Sequence, residues 1–493
     1  MINIIEKIKR EKSAILKVLC LVFLYFGVDT YFNLATDTYA TFANGFGTSA
    51  IDMFYRNGRP VIALIYEFFY LTGLPTNMFY YISSAVALLF LGIAIWIMQK
   101  ILQTYSVTEN RRILISFISI ANIFIIEYFM FVEKCGFMLA ILLNIVGVYC
   151  ITNFYKKGKV RYFIFAIVSV SVAIFTYQGT VALFVLLSLP FAFKHATGFA
   201  TYVCKIIQIG FVYVSAIILD LCAFKFLFKS ARITEKQNLK WNIQYVVNNL
   251  KYLQKNTFSI LPQHFFSIVL IVVLGISVVL VIFFEKRIGR FLNILVMILA
   301  CCIFPTATII QGSGWWAMRV VYPIASIIGV IAIDLYVNKK SGLESIQAFK
   351  ILDKVVLMAI VVLLVGQYFS FNSIYIDRYK LNFADENRAN YIGEAIHEYQ
   401  ESSGKKITKV AFYTDESTVH PFYPNLYYGG DLIVSSFYTG WSDITSLNYY
   451  LGTSYKRAEQ NEKYVEYFSQ KDWNTLSQEQ LIFDGDTLHV CVY

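Results

Sequence analysis

Charge is scarce in this 493-residue chain: Asp, Glu, Lys and Arg together make up only 15% of it, against roughly 25% in an ordinary globular domain. Proline is also scarce, at eight residues, and there are eight cysteines. With 57% hydrophobic residues, this composition excludes intrinsic disorder, collagen-like repeats and a disulfide scaffold. No glycine-rich phosphate loop of the GxxxxGKS/T type and no Rossmann glycine pattern occurs, which argues against an ATP-driven machine. What the chain has in abundance is long apolar runs and aromatic residues, with 43 Phe and 36 Tyr. Those runs argue against a soluble enzyme.

A bilayer crossing needs about 20 mostly apolar residues. About eleven such segments are present, near 15–34, 77–98, 112–132, 135–154, 161–177, 179–194, 205–227, 265–284, 291–310, 318–337 and 354–372. The fifth and sixth meet at Tyr177-Gln178-Gly179 and read as a tight hairpin. The first carries a basic flank (Lys7, Lys9, Arg10, Lys12, Lys17) but runs on into Val28-Asp29-Thr30 without a small-residue cleavage site. It therefore reads as a retained helix with its N-terminus in the cytoplasm. That orientation puts about 21 Lys and Arg in the inner segments and four (Arg56, Arg59, Lys134, Arg319) in the short outer loops, as the positive-inside rule requires. An odd number of crossings places the C-terminus outside the cell membrane.

The net charge of +10 divides along this topology. Residues 372–493 hold 10 basic and 17 acidic residues, a net of −7, and residues 1–371 carry +17. The basic excess is explained by anionic lipid on the cytoplasmic face, and nucleic acid is not needed. Seven of the eight cysteines lie in or beside apolar segments and read as core-packing thiols.

The expected fold is mainly α. It is a polytopic membrane helical bundle over 1–371, with a small extracytoplasmic α/β domain over 372–493. Two outer loops are long, 35–76 and 228–264. Within the first, Val61 to Leu74 suits a helix lying in the interface, with Tyr66, Phe68, Phe69 and Tyr70 at headgroup level. Within the second, Asn238 to Gln254 has helical spacing. In the tail, Phe383 to Glu401 reads as a helix ending before Gly404, and Ile407–Tyr413 and Leu488–Tyr493 read as strands. The tail has no nucleophile–base arrangement and no metal-ligand spacing. The expectation is an accessory role, such as covering the outer mouth of the bundle.

Ionisable residues at membrane depth cost roughly 2.5–3.5 kcal/mol even on insertion scales, which makes each a functional candidate. On the outer side these are Asp29, Asp37, Asp52, Arg56, Arg59, Glu127, Glu133, Lys134 and Arg319. They are joined by Tyr177-Gln178 and by Trp315-Trp316. Asp220 and Asp334 stand alone in apolar runs, Asp334 near enough to the inner end to reach water. Carboxylates, arginines and aromatics at an outer membrane surface suit transfer of a sugar from a lipid-phosphate donor. A carboxylate takes the acceptor proton, and Arg stabilises the leaving phosphate through charge-assisted hydrogen bonds. The sugar stacks on an aromatic ring. The alternative readings are a helix cap for Asp37 and for Asp52, a surface anchor for Arg59, and buried polar braces for Glu127, Glu133, Gln178 and Arg319.

The order of these motifs resembles the membrane glucosyltransferases that decorate O-antigen and related surface polymers, a branch of the GT-C glycosyltransferases. The resemblance is carried by Thr36-Asp37-Thr38-Tyr39, Tyr55-Arg56-Asn57-Gly58-Arg59-Pro60, Glu127 with Glu133-Lys134, Phe175-Thr176-Tyr177-Gln178 and Trp315-Trp316-Ala317-Met318-Arg319. It extends over roughly 15–371. It implies a polyprenyl-phosphate glucose donor, a cell-surface glycan acceptor on the outer face, and Asp37 as general base. Arg56, Arg59 and Arg319 would bind the donor phosphate. Thr36 stands where the family often has a first carboxylate, which leaves Asp29, Asp52 or Glu133 to supply a second acid. No cofactor is firmly implied, and a divalent metal on these acids is left open. Two competing classes share the outer acids and arginines: a transporter or flippase for a lipid-linked glycan, and a polymerase or ligase that joins whole glycan units.

Overall fold

The computed structural model describes residues 2–30, 33–228, 260–261, 264–285, 288–307, 317–340, 342–343, 346–414, 432, 434–470, 473 and 477–492. The helix expected over Asn238–Gln254, and Trp315 and Trp316, lie outside the described residues.

The chain is mainly helical. Its helices in order are α1 (Ile2–Phe26), α2 (Thr38–Asn44), α3 (Thr48–Arg56), α4 (Pro60–Thr72), α5 (Thr76–Gln103), α6 (Glu109–Ile120), α7 (Ile126–Phe129), α8 (Lys134–Lys157), α9 (Val160–Thr176), α10 (Ala182–Lys194) and α11 (Phe199–Ala223). These are followed by α12 (Phe265–Val279), α13 (Ile288–Ala307), α14 (Ile327–Val337), α15 (Gln347–Ser403), α16 (Asp443–Leu451) and α17 (Glu462–Ser469). Each of the eleven apolar segments overlaps, among the described residues, a helix or a broken pair of helices. Among the described residues, four helices are long and apolar enough to cross a membrane, or five if the bent pair α6 and α7 counts as one span. Large apolar side chains are exposed along the bundle, including Phe23, Leu89, Phe165, Ile207, Ile271 and Phe369. A surface of this kind is consistent with membrane association.

The interior of the bundle is held by packed apolar side chains and by neutral hydrogen bonds. Asn122 Nδ2 donates to Ser326 Oγ at 2.9 Å, and Asn144 Nδ2 donates to Thr180 Oγ1 at 3.1 Å. Ions appear at the two ends. At the end away from the tail, Arg290 pairs with Glu285 and with Asp334 Oδ2 (3.1 Å), and Asn293 and Asn338 donate to Asp334 Oδ1 at 2.7 Å. Asp334 is 1% exposed. The expectation that it reaches water is therefore corrected: Arg290 supplies its counter-charge inside the fold. The thiol reading is corrected in part as well, because Cys20, Cys204 and Cys222 are exposed on the outward faces of their helices.

The sequence suggests separate elements over 354–372 and 383–401, but α15 runs unbroken through both, a 57-residue helix. At about 1.5 Å per residue it is about 85 Å long. It ends where Gly404 takes a left-handed conformation (φ +67°) and caps it. Four strands follow in the tail: β1 (Lys409–Thr414), β2 (Lys456–Arg457), β3 (Leu481–Asp484) and β4 (Thr487–Val492). They form one sheet in the order β2-β1-β4-β3. β1 runs parallel to β2 and β4, and β3 and β4 form an antiparallel hairpin. Four consecutive residues of β1 are buried, as expected of a strand covered on both faces. Ala389, Ile392 and Ile396 of α15 pack on one face, and Tyr464 and Phe468 of α17 on the other.

Candidate functional site

The site is assembled at the tail-side end of the bundle. The segment Asn57-Gly58-Arg59-Pro60 is a turn between two helices, and its residue types account for that. Gly58 takes φ +68° and stops α3, with Arg59 N bonding to Phe54 O at 2.9 Å. Pro60 starts α4 at a position where the missing N–H costs nothing. Arg59 therefore sits at the junction, half-buried, with its guanidinium 4.7 Å from the centre of the Tyr177 ring. α4 is not a simple interfacial helix. Tyr66 and Phe69 are buried against Phe46, Phe54 and Phe79, which corrects their expected place at headgroup level, while Phe68 and Tyr70 are exposed.

The segment Tyr177-Gln178-Gly179 is a short 3-10 turn between α9 and α10, but the tight hairpin expected there is corrected: α9 packs mainly on α8 and α11, and α10 on α8, α11 and α13, rather than on each other. Gly179 has no side chain for a steric reason. A Cβ there would lie 2.7 Å from Arg319 O and 3.2 Å from Val320 Cα. This close approach brings the turn against the segment that carries Arg319. The Arg319 side chain donates to Glu127 Oε1 (2.5 Å), its backbone N donates to Glu127 Oε2 (2.6 Å), and Tyr128 Oη donates to Arg319 O (2.6 Å). The guanidinium also lies 4.5 Å from the Phe131 ring centre and within electrostatic reach of the Tyr177 hydroxyl. Glu127 is fully buried and orients Arg319 through both its main chain and its side chain.

Glu133, at the N-cap of α8, joins these parts. Its carboxyl is within the electrostatic reach of Asp37, Arg59 and Arg319. Burial is the main cause of its rise to about 7; its own backbone hydrogen bond and the two arginines oppose that rise, and the nearby Asp37 charge adds to it. Asp37 occupies the N-cap position of α2, makes no side-chain cap hydrogen bond, and is exposed. Two acids, two arginines and Tyr177 thus share one region.

Other expected members lie elsewhere. Asp52 and Arg56 are exposed on successive turns of α3, and Gly47, not Asp52, occupies that helix's N-cap position. Asp29 and Lys134 pair with each other at 2.5 Å, with side chains 2% and 0% exposed, and Lys134 lies 4.1 Å above the Tyr80 ring. That pair ties the exit of α1 to the start of α8. Lys134 also lies within the electrostatic reach of its chain neighbour Glu133, so the pair adjoins the site.

Asp220 belongs with the site, although its apolar surroundings gave no sign of this. Its carboxyl lies beside the Gln178 side chain, whose Nε2 donates to Gly58 O at 2.8 Å. The sequence also gave no sign of how the tail holds the first loop. Arg378 of α15, 1% exposed, donates to Leu34 O from Nε (2.9 Å) and from Nη2, and to Val434 O from Nη1 (2.9 Å). Asn382 accepts from Leu34 N and donates to Leu34 O, both at 3.0 Å. Tyr39 and Tyr450 hydroxyls meet at 2.6 Å. The peptide three residues before Asp37 is therefore fixed on both its N–H and its C=O.

No group of three or more His, Cys, Asp or Glu among the described residues is placed to hold a metal ion. No protein-family model matches the chain, and no curated protein matches it significantly.

Proposed function

We propose that the protein is a multi-pass membrane glycosyltransferase. It moves a sugar, glucose by resemblance, from a polyprenyl-phosphate donor to a cell-surface glycan on the outer face of the membrane. The observation that carries this reading is the convergence of Asp37, Glu133, Arg59 and Arg319 around Tyr177 at one end of an apolar helical bundle.

Each group has a task in this chemistry. The Asp37 carboxylate takes the proton of the acceptor hydroxyl as its oxygen bonds to the anomeric carbon. The bond from that carbon to the phosphate oxygen breaks, and the polyprenyl phosphate leaves with the electron pair. Arg59 and Arg319 stabilise the charge that gathers on it. Tyr177 offers a ring beside both cations. The topology that goes with this reading adds α1, α9, α10, α13, α14 and α15 to the five long apolar spans, for eleven crossings. The N-terminus is then cytoplasmic, and the site and the tail are extracytoplasmic.

The test is transfer by purified protein from a polyprenyl-phosphate sugar to the surface glycan of its own cell. Asp37→Asn is expected to abolish transfer and leave the melting temperature unchanged. Full activity in that variant refutes the assignment of the base. A ladder of products in place of single-sugar addition identifies a polymerase instead.

A further inference from the structure

Two polar atoms near the Gln178 turn lack a partner among the described residues: Oδ1 of Asp220 and Nε of Arg59, both shielded from solvent. Buried polar atoms are nearly always satisfied, so each orphan calls for an explanation. Here one is an acceptor and the other a donor. They are linked through a short chain of contacts. Asp220 lies beside Gln178, Gln178 donates to Gly58 O, and Gly58 precedes Arg59. Asp220 is 3% exposed and lies near the end of an otherwise apolar helix. An amide or hydroxyl there would meet Gln178 equally well without burying a charge. A carboxylate is the side chain that accepts hydrogen bonds from ligand hydroxyls.

We infer that Asp220, beside Gln178, forms a subsite that binds a hydroxyl of the sugar on the lipid-linked donor, next to the phosphate site at Arg59. The inference rests on the glycosyl-transfer reading and deepens it. The neighbouring residues suit the route by which such a ligand arrives. Ile218, Leu219 and Leu221 on the same turns of α11 are exposed and apolar. An isoprenoid chain can lie along them while the sugar turns inward toward Asp220. Asp220 bears on recognition of the sugar, and Asp37 on the proton.

The experiment compares two lipids on the full-length protein in detergent, undecaprenyl-phosphate glucose and undecaprenyl phosphate. Wild type is expected to bind the glucose-bearing lipid more tightly. Asp220→Asn is expected to lose at least tenfold in affinity for it and to bind the bare lipid as wild type does. Equal binding of the glucose-bearing lipid by wild type and Asp220→Asn overturns the subsite while leaving the transfer reading intact. If wild type binds neither lipid, the transfer reading falls and takes the subsite with it. A measurement that needs no variant uses donors lacking one glucose hydroxyl. Removal of one particular hydroxyl is expected to weaken wild-type binding at least tenfold, and a uniform response to every deoxy donor overturns the proposal.

Discussion

Replacing Lys134 with Met tests whether the Asp29–Lys134 pair is a brace. The two charges meet at 2.5 Å with side chains 0% and 2% exposed. At that distance and an effective dielectric of about 20, the attraction is about 7 kcal/mol. Desolvating each ion costs several kcal/mol, so the intact pair contributes little net stability. Removing one partner is different, because it strands a buried carboxylate. Lys134→Met should cost about 3–5 kcal/mol. The double variant Asp29→Asn/Lys134→Met removes both charges and should recover most of that loss, giving a coupling energy of about 2–4 kcal/mol. The assay is unfolding of the purified protein in detergent by increasing denaturant, run on wild type, both single variants and the double. A Lys134→Met protein as stable as wild type, or a double variant no more stable than the single, refutes the reasoning. A stable double variant that has lost sugar transfer returns the pair to the chemistry.

Two further predictions concern the site and its support. Burial raises Glu133 to about 7 from an ordinary value of 4.5, so the folded state holds the extra proton between those pH values, and Glu133's contribution to stability falls as pH rises from about 4.5 to about 7. Glu133→Gln should therefore be more stable than wild type above pH 7, and the gap should close below pH 4.5 in paired melting curves; a pH-independent gap refutes the assignment. Arg378→Ala removes the charged donor from Leu34 O and Val434 O and should cost about 3 kcal/mol. It should also expose residues 33–45 to limited proteolysis, and an unchanged cleavage pattern counts against the clamp.

The parts legible in the sequence were those set by local chemistry. Long apolar runs mark the helices, Gly58 and Pro60 mark the turn that places Arg59, and β-rich segments ending at Tyr413 and Tyr493 mark two tail strands. The absence of glycine and proline between Gly366 and Gly393 permits the continuous α15, but the change from apolar to polar residues near 372 reads as a boundary and hides that continuity. What was not legible depended on partners far apart in the chain. Asp29 and Lys134 are 105 residues apart, and their pairing leaves no local trace. Asp334 looks solvated until Arg290 is seen beside it. Asp220 looks isolated because the residue beside it, Gln178, lies in the turn between α9 and α10.

The placement of ions explains why so few charges suffice to define a site. Neutral groups, Asn122 with Ser326 and Asn144 with Thr180, join helices next to the site, and ion pairs brace the ends of the bundle. In the other buried ion pairs each cation touches its carboxylate directly: Lys134 meets Asp29, and Arg290 meets Asp334 and Glu285. Glu133 is set in a different way, among one acid and two arginines drawn from three separate chain segments. Such an arrangement is poor as a brace, because no single geometry satisfies every charge, and burial holds the carboxyl near neutrality where it gains and loses a proton readily. Holding it together requires fixing the most exposed member, the loop of Asp37. Arg378 and Asn382 grip the peptide at Leu34, and the Tyr39–Tyr450 contact holds the start of α2. Both grips come from α15 and the tail it leads into. The tail therefore sets the position of the proposed base, and a bundle without it would keep its arginines but lose the fixed placement of Asp37 opposite them.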